Sequence, residues 1–230
     1  MLPKVVIFDV GGTLIKNIDF NFQNGLKFLY DEIFDIKDSF EDFVKMNEER
    51  HNELEIARRN NYEISFYSIY HYFSFLFPKK TNLSFDEIEL EFSNRIYHIE
   101  AIEGTLEFIN YLEKKNIKLY VLSNTLFSTK VINDELRRVG LYDHFLDTLG
   151  TGDYGFRKPS KTIFNLYLKK LKDYSPSDIA YIGNDYELDI VTPISLGMQA
   201  YFKGEKMEEH DDYLEFDNYH NLLEWFKNNG

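Results

Sequence analysis

Four short stretches gather the residue types that nucleophilic, acid–base and metal chemistry use. They are Asp9-Val10-Gly11-Gly12-Thr13, Ser123-Asn124-Thr125, Arg157-Lys158-Pro159, and Asn184-Asp185 with Asp189. Together they offer carboxylates, a hydroxyl and a lysine ammonium, a set suited to handling an anionic group if the chain brings them together. Taken singly, each has a plain structural reading. Asp9 before two glycines can cap a turn. Ser123-Asn124-Thr125 can be an ordinary strand-to-helix turn, and Lys158 a solvated surface lysine. Asp185 and Asp189, four apart, suit a helix start, where acids favour the dipole.

Hydrophobic patterning shows which elements must position these stretches. Val5-Val6-Ile7-Phe8 reads as a buried strand that meets a turn at Asp9 and the glycines. Ile117 to Leu122 is a strand ending at Ser123, and Ile179 to Ile182 is a strand ending at Gly183-Asn184-Asp185. Weaker strand signals lie near Phe145 to Leu149 and Met198 to Phe202. Between them, Thr105 to Lys115 is amphipathic, and Ser128 to Val139 is a helix closed by Gly140. Ser160 caps a helix running to about Leu171. A helix disturbed by Pro193 follows Asp185, and the last runs from about Tyr219 to Lys227. Alternating strands and helices imply a parallel sheet with helices on both faces. Such sheets place their sites where strand C-termini meet the loops. Three of the four stretches then converge on one edge, and the lysine loop can reach them.

The segment from about Asn17 to Tyr97 reads differently. It has few strand signals and one proline, Pro78, with apolar residues such as Phe40, Phe43 and Val44 at helical spacing. The expected organisation is an α/β fold: a Rossmann-like parallel-sheet core of residues 1–15 and 100–230, with an inserted all-helical cap domain of residues 16–99. Lys45, Arg50, His51, Arg58 and Arg59 could face the site from the cap, but Glu48, Glu49 and Glu55 lie near enough in sequence to pair with them. The aromatics between Tyr62 and Phe77 are too many for one helix face and read chiefly as cap core, with some packing on the main domain or a second subunit.

The formal net charge is −13, from 26 Lys+Arg against 39 Asp+Glu. A field of that sign repels phosphate backbones and argues against nucleic acid as a partner. It equally requires local positive charge, from a divalent cation or a lysine, wherever a phosphorylated small molecule is to bind. The chain has no cysteine, which excludes disulfides and thiolate chemistry. No apolar run has the length of a membrane span, and no leader pattern opens the chain, so a cytoplasmic protein is expected. The histidines show no metal-ligand spacing that would suit zinc. Monomer and homodimer both stay open.

The four stretches, in this order and on these elements, resemble the motifs of the haloacid dehalogenase-like hydrolase superfamily, in its branch with a helical cap inserted after the first motif. The resemblance covers nearly the whole chain. It implies a Mg²⁺-dependent phosphatase acting on a small phosphorylated metabolite through an aspartyl-phosphate. Asp9 would be the nucleophile. Gly12, Ser123 and Asn124 would hold the phosphate, with Lys158 bridging phosphate and nucleophile. Asp9, the Gly11 carbonyl, Asn184, Asp185 and Asp189 would serve the metal. Two positions depart from the pattern. Gly11 stands where family phosphatases carry a second aspartate that protonates the leaving oxygen and activates water. Asn184 stands where a metal-binding aspartate is common, with Asp185 adjacent. A fold that binds a phosphorylated ligand or a partner with weakened catalysis is therefore an alternative. A 2-haloacid dehalogenase ranks behind it, because Gly11 differs from that branch's tyrosine and the acids at 185 and 189 persist.

Overall fold

The computed structural model describes residues 2–229. In chain order, β1 (Val5–Phe8) and β2 (Ile15–Phe20) come first. Four helices follow: α1 (Phe22–Phe28), α2 (Phe40–Arg59), α3 (Phe66–Leu76) and α4 (Phe85–Ile96). Then come β3 (Tyr97–Ala101), α5 (Thr105–Lys114), β4 (Lys118–Ser123), α6 (Thr129–Arg138), β5 (Asp147–Gly150) and α7 (Lys161–Lys170). The chain closes with β6 (Ile179–Gly183), α8 (Val191–Ser195), β7 (Gln199–Lys203), β8 (Glu208–Glu209), β9 (Leu214–Phe216) and α9 (Tyr219–Asn229).

Seven strands form one sheet in the order β5-β4-β1-β6-β7-β9-β8, parallel except for the short edge strand β8. This is the doubly wound α/β architecture that the alternation of strands and helices predicts. The period of two along β1 explains how both faces are covered. Val6 and Phe8 pack with Phe108, Leu136 and Phe226 of α5, α6 and α9. Val5 and Ile7 pack with Ile163, Phe164 and Tyr167 of α7 on the opposite face. Because β1 is flanked in parallel register by β4 and β6, the C-terminal ends of all three strands emerge together.

The insert after β1 has its own core. Phe28, Phe34, Phe43, Phe66, Phe73 and Phe92 are all buried in one cluster. Its helices begin at serines whose hydroxyls accept backbone N–H groups: Ser39 for α2, Ser65 for α3, and Ser84 for α4, where Glu87 completes a reciprocal cap. One expectation needs correction, since the insert is not all-helical. Its stem is an antiparallel ribbon of β2 and β3, from Ile15↔Ala101 to Phe20↔Tyr97, and most of it falls within residues 16–99. Every residue of β2 after Ile15 is exposed, so burial writes no alternation into the sequence.

The insert core is also not closed on itself. Phe127 and Val131, which follow the Ser123 turn, belong to it. The Phe127 ring lies 5.6 Å from Phe66, 6.1 Å from Phe92 and 6.3 Å from Tyr97. Phe127→Ala is expected to lower the unfolding free energy by about 3–5 kcal/mol, read from urea titration, because the hole opens where insert and sheet loop meet.

Candidate active site

Asp9 leaves the end of β1 buried, and the segments around it converge as the strand order requires. Lys158 is 1 % exposed and Asp189 1 %, so both charges are held out of water. The Lys158 Nζ donates to Asp9 Oδ1 at 2.7 Å, to Asp189 Oδ1 at 2.5 Å and to the Tyr181 hydroxyl at 2.9 Å. All three ammonium protons are thereby used. The Tyr181 hydroxyl in turn donates to the Leu122 carbonyl at 2.9 Å. Burial alone would lower the lysine pKa, but Asp189 and Asp9 outweigh it and hold it above the usual value. Burial pushes the Asp9 carboxyl up, with Asp189 adding to the rise and Lys158 opposing it.

The other oxygens of the two carboxylates tie the site to the backbone. Asp189 Oδ2 accepts the N–H groups of Asn184 and Asp185, both at 3.1 Å. Gly183 allows this approach: a Cβ there would stand 2.3 Å from the Asp189 carboxyl carbon. The Thr13 hydroxyl lies 3.0 Å from Asp9 Oδ2 and 3.1 Å from Asn184 Oδ1. It has one proton for these two acceptors. Gly12 adopts φ +78°, and a Cβ would meet the Asn184 amide at 2.5 Å, so glycine is what lets the two loops touch.

Ser123 ends β4 and lines the cavity next to Asp9. Asn124 clasps the lysine loop from both sides: its Oδ1 accepts the Lys158 N–H at 2.8 Å, and its Nδ2 donates to the Lys158 carbonyl at 3.1 Å. The insert grips the same loop. Arg157 N–H reaches the Asn61 carbonyl at 3.1 Å, and Glu63 N–H reaches the Gly155 carbonyl at 3.0 Å. The buried Glu63 carboxylate lies 3.3 Å from Arg58 Nε and 3.6 Å from Arg157 Nε. On the other side, Glu89 of α4 accepts the Ser128 N–H at 2.9 Å and the Ser128 hydroxyl at 2.5 Å, just before α6 begins.

Asp9, Gly11, Ser123, Asn124, Lys158, Asn184, Asp185 and Asp189 all line one cavity of about 330 Å³, small-molecule size. Only Gly12 of the expected set does not line it, and it acts through the backbone turn. Thr13 and Tyr181 bond to Asp9 and Lys158 without lining the cavity. Thr13 stood inside the first stretch, four residues from Asp9. Tyr181 sat within an apolar strand and gave no signal.

The chemistry of the donors fits a hard divalent cation. Two buried carboxylates face one buried ammonium, and the exposed Asp185 adds another negative charge. The donors are all oxygens, which suits Mg²⁺. The Asp189 oxygens are spent on Lys158 and two amides, and Asp185 Oδ1 accepts the Leu188 N–H at 3.0 Å. Asn184 Oδ1 shares the Thr13 hydroxyl with Asp9. Among the described residues, the one trio of carboxylate and imidazole donors within 4.8 Å of one another lies elsewhere: Glu208, His210 and Glu215. The spacing of the histidines along the sequence predicts no ligand set, and here Lys206 pairs with Glu208 while the His210 ring stacks on Tyr213 at 4.2 Å. This is an ordinary arrangement of hairpin charges.

The far wall of the cavity carries Glu135 of α6. Burial pushes its carboxyl up to about 7, against the pull of Arg138 and of the Ser93 hydroxyl, which donates at 3.3 Å. Tyr97 also lines the cavity, and burial together with Glu135 pushes its phenol up to about 12.

The sequence model of the haloacid dehalogenase-like hydrolases matches residues 3–197. Among curated proteins, YfnB of Bacillus subtilis (strain 168), named as a HAD-hydrolase, is 30 % identical over 91 residues, 40 % of this chain and 37 % of its own. The haloacid dehalogenase-like hydrolase domain-containing protein 3 of Bos taurus is 31 % identical over 102 residues, 44 % of this chain and 39 % of its own. The matches therefore span less than half the length of either relative. Among solved structures, a HAD phosphatase from Thermococcus onnurineus superposes with a TM-score of 0.64 at 20 % identity, over 97 % of each chain. The magnesium-bound structure of YfnB superposes with a TM-score of 0.60 at 18 % identity, over 99 % of this chain and 100 % of that one. No helix among the described residues is long and apolar enough to cross a membrane.

Two expectations come from the charges. With a chelator present, Lys158→Gln leaves two buried carboxylates without their cation and is expected to cost about 3–5 kcal/mol of unfolding free energy in denaturant titration. Glu135 behaves oppositely. Its carboxyl titrates near 4.5 when free and about 7 when folded. The stability gained by keeping the proton is full below the lower value and is lost as pH rises through the upper one. Glu135→Gln should match the native melting temperature near pH 5 and exceed it at pH 8, on the order of 2–3 kcal/mol in stability.

Proposed function

The chain belongs to the haloacid dehalogenase-like hydrolases, and from that premise we propose that it is a cytoplasmic, Mg²⁺-dependent phosphatase that cleaves a small phosphorylated metabolite through Asp9. The observation that carries this reading is the buried Asp9 carboxylate at the end of β1, held by Lys158 at 2.7 Å within a cavity of about 330 Å³. The magnesium in the YfnB structure and the phosphatase from Thermococcus onnurineus support it by likeness of fold.

Asp9 supplies the attacking oxygen. Its bond to phosphorus forms as the ester P–O bond breaks, and the leaving oxygen takes the electron pair. Water then attacks the aspartyl-phosphate, releasing phosphate and restoring Asp9. Lys158 and the Ser123 hydroxyl stabilise charge on the phosphoryl oxygens, with N–H groups of the same turns as further donors. To reach the phosphate, Lys158 must exchange one of its three present acceptors. When bound, Mg²⁺ would draw charge off the phosphoryl group; Asp9, the Gly11 carbonyl and Asn184 would hold it, with Asp185 acting through water. Asp189 would serve the metal indirectly, by fixing Lys158 and the loop of Asn184. The insert of residues 16–99 acts as a cap that shields the chemistry from water.

Gly11 leaves no side chain to protonate the leaving oxygen. A second reading, binding of a phosphorylated ligand or a protein partner without efficient turnover, rests on that residue. Carbon–halogen cleavage is the weakest reading, since Gly11 replaces that branch's tyrosine and the acids at 185 and 189 favour metal-assisted phosphoryl chemistry.

Hydrolysis of an aryl phosphate with Mg²⁺ is expected for the native protein. It should be lost with a chelator and fall by about 10³-fold or more in Asp9→Asn, consistent with removal of a nucleophile. Activity surviving in Asp9→Asn would sink the assignment. A Cβ at Gly11 would meet nothing within 4 Å, so a side chain fits there. Gly11→Asp should therefore raise kcat on alkyl phosphates, whose leaving groups need a proton, by about 10²-fold or more, and raise it less on aryl phosphates.

A further inference from the structure

The cavity beside Asp9 continues as a slot whose two walls can be ordered from strand register and helix rise. One wall is the β2/β3 ribbon. Gly11 bridges to Ile15, Asn17 then pairs with Ile99, and Phe20 pairs with Tyr97. Ile15, Asn17 with Ile99, and Tyr97 therefore line the slot in order of increasing distance from the nucleophile loop. They alternate along their strands and so share a face. The other wall is α6, which contributes Ile132 and Glu135. At 1.5 Å rise per residue, Glu135 lies about 9 Å along the axis from Thr129, the first residue of that helix.

This wall chemistry is one-sided. The phosphate end has Lys158 to attract an anion. Arg157, the other basic side chain of the cavity, stands beside Lys158, with its Nε 3.6 Å from Glu63. Further along, the slot is isoleucine, tyrosine and asparagine until it reaches the Glu135 carboxyl. The Ser93 hydroxyl donates to one oxygen of that carboxyl. The nearest cation on the same helix, Arg138, is paired with Asp134 at 3.3 Å. Among the described residues no cation forms an ion pair with this buried carboxyl, which agrees with its raised pKa.

We propose that Glu135 recognises the end of the substrate remote from its phosphate, and that this end carries a hydrogen-bond donor, an amine or a hydroxyl, and no second anion. The inference rests on the phosphatase reading and names the substrate class for it: a small phosphate ester with an apolar spacer and a donor terminus. Above about pH 7, where the buried Glu135 carboxyl is ionised, a donor reaching it gains a charge-assisted bond. A carboxylate or second phosphate there would meet a like charge at low local dielectric.

The test is a series of alkyl phosphates of equal chain length ending in amine, hydroxyl, methyl or carboxylate, assayed with Mg²⁺ at pH 8, where Glu135 is ionised, by phosphate release. The native protein should prefer amine and hydroxyl over methyl, and methyl over carboxylate, with the difference falling mainly on KM. Glu135→Gln should reduce the amine-over-methyl preference by about tenfold or more, and raise kcat/KM for the carboxylate ester. The native selectivity tests the proposal even if the variant fails to fold. Release from the methyl ester with no donor preference, or a preference unchanged in folded Glu135→Gln, would overturn the role of Glu135 and leave the phosphatase reading standing. No release from any ester, nor from an aryl phosphate, would overturn both.

Discussion

A lysine ammonium buried between two carboxylates is the interaction on which the rest of this structure depends. Lys158 joins Asp9 from the end of β1, Asp189 from the turn after β6, and Tyr181 from within β6. None of these groups can be buried alone without a large desolvation cost, and each removes that cost for the others. The arrangement propagates outward. Asp189 holds the amides of Asn184 and Asp185, and Asp9 shares the Thr13 hydroxyl with the Asn184 side chain. A ring of hydrogen bonds thus runs from Lys158 through both acids and back, and it fixes the Asp9, Asp189 and Asn184 side chains.

The insert serves this ring from outside. It touches both loops that deliver functional side chains, at Glu63 with Arg157 for the lysine loop and at Glu89 with Ser128 for the serine loop. Phe127 carries the contact into the insert core. A substitution deep in the aromatic cluster can therefore shift the site without touching it, because well-packed interiors transmit strain.

The strand ends were readable because a buried strand meeting a glycine turn leaves a strong local pattern. Asp9, Ser123, Lys158 and Asp189 stand on elements whose types the sequence shows. The stem ribbon was not readable, since β2 is exposed almost throughout and exposure erases alternation. β9 was hidden for a related reason: three buried residues with Glu215 in the middle do not look like a strand. Thr13, Tyr181 and Glu135 owe their importance to partners far away in sequence. Glu135 in particular reads as one more charge on an amphipathic helix until Ser93, Tyr97 and the cavity surround it. The Asn184 side chain likewise owes its contact to a hydroxyl contributed from 171 residues away.

The stem ribbon has a further consequence. The insert leaves and re-enters the sheet domain through two paired strands, so its ends stand one strand spacing apart, about 5 Å. To the host fold, roughly eighty residues are topologically equivalent to a hairpin turn. Closure of that long excursion is set by the ribbon ladder and does not depend on the order in which the insert's helices assemble. The sheet domain and its insert are thus joined at a seam where exchange of one guest for another leaves the host's strand order intact.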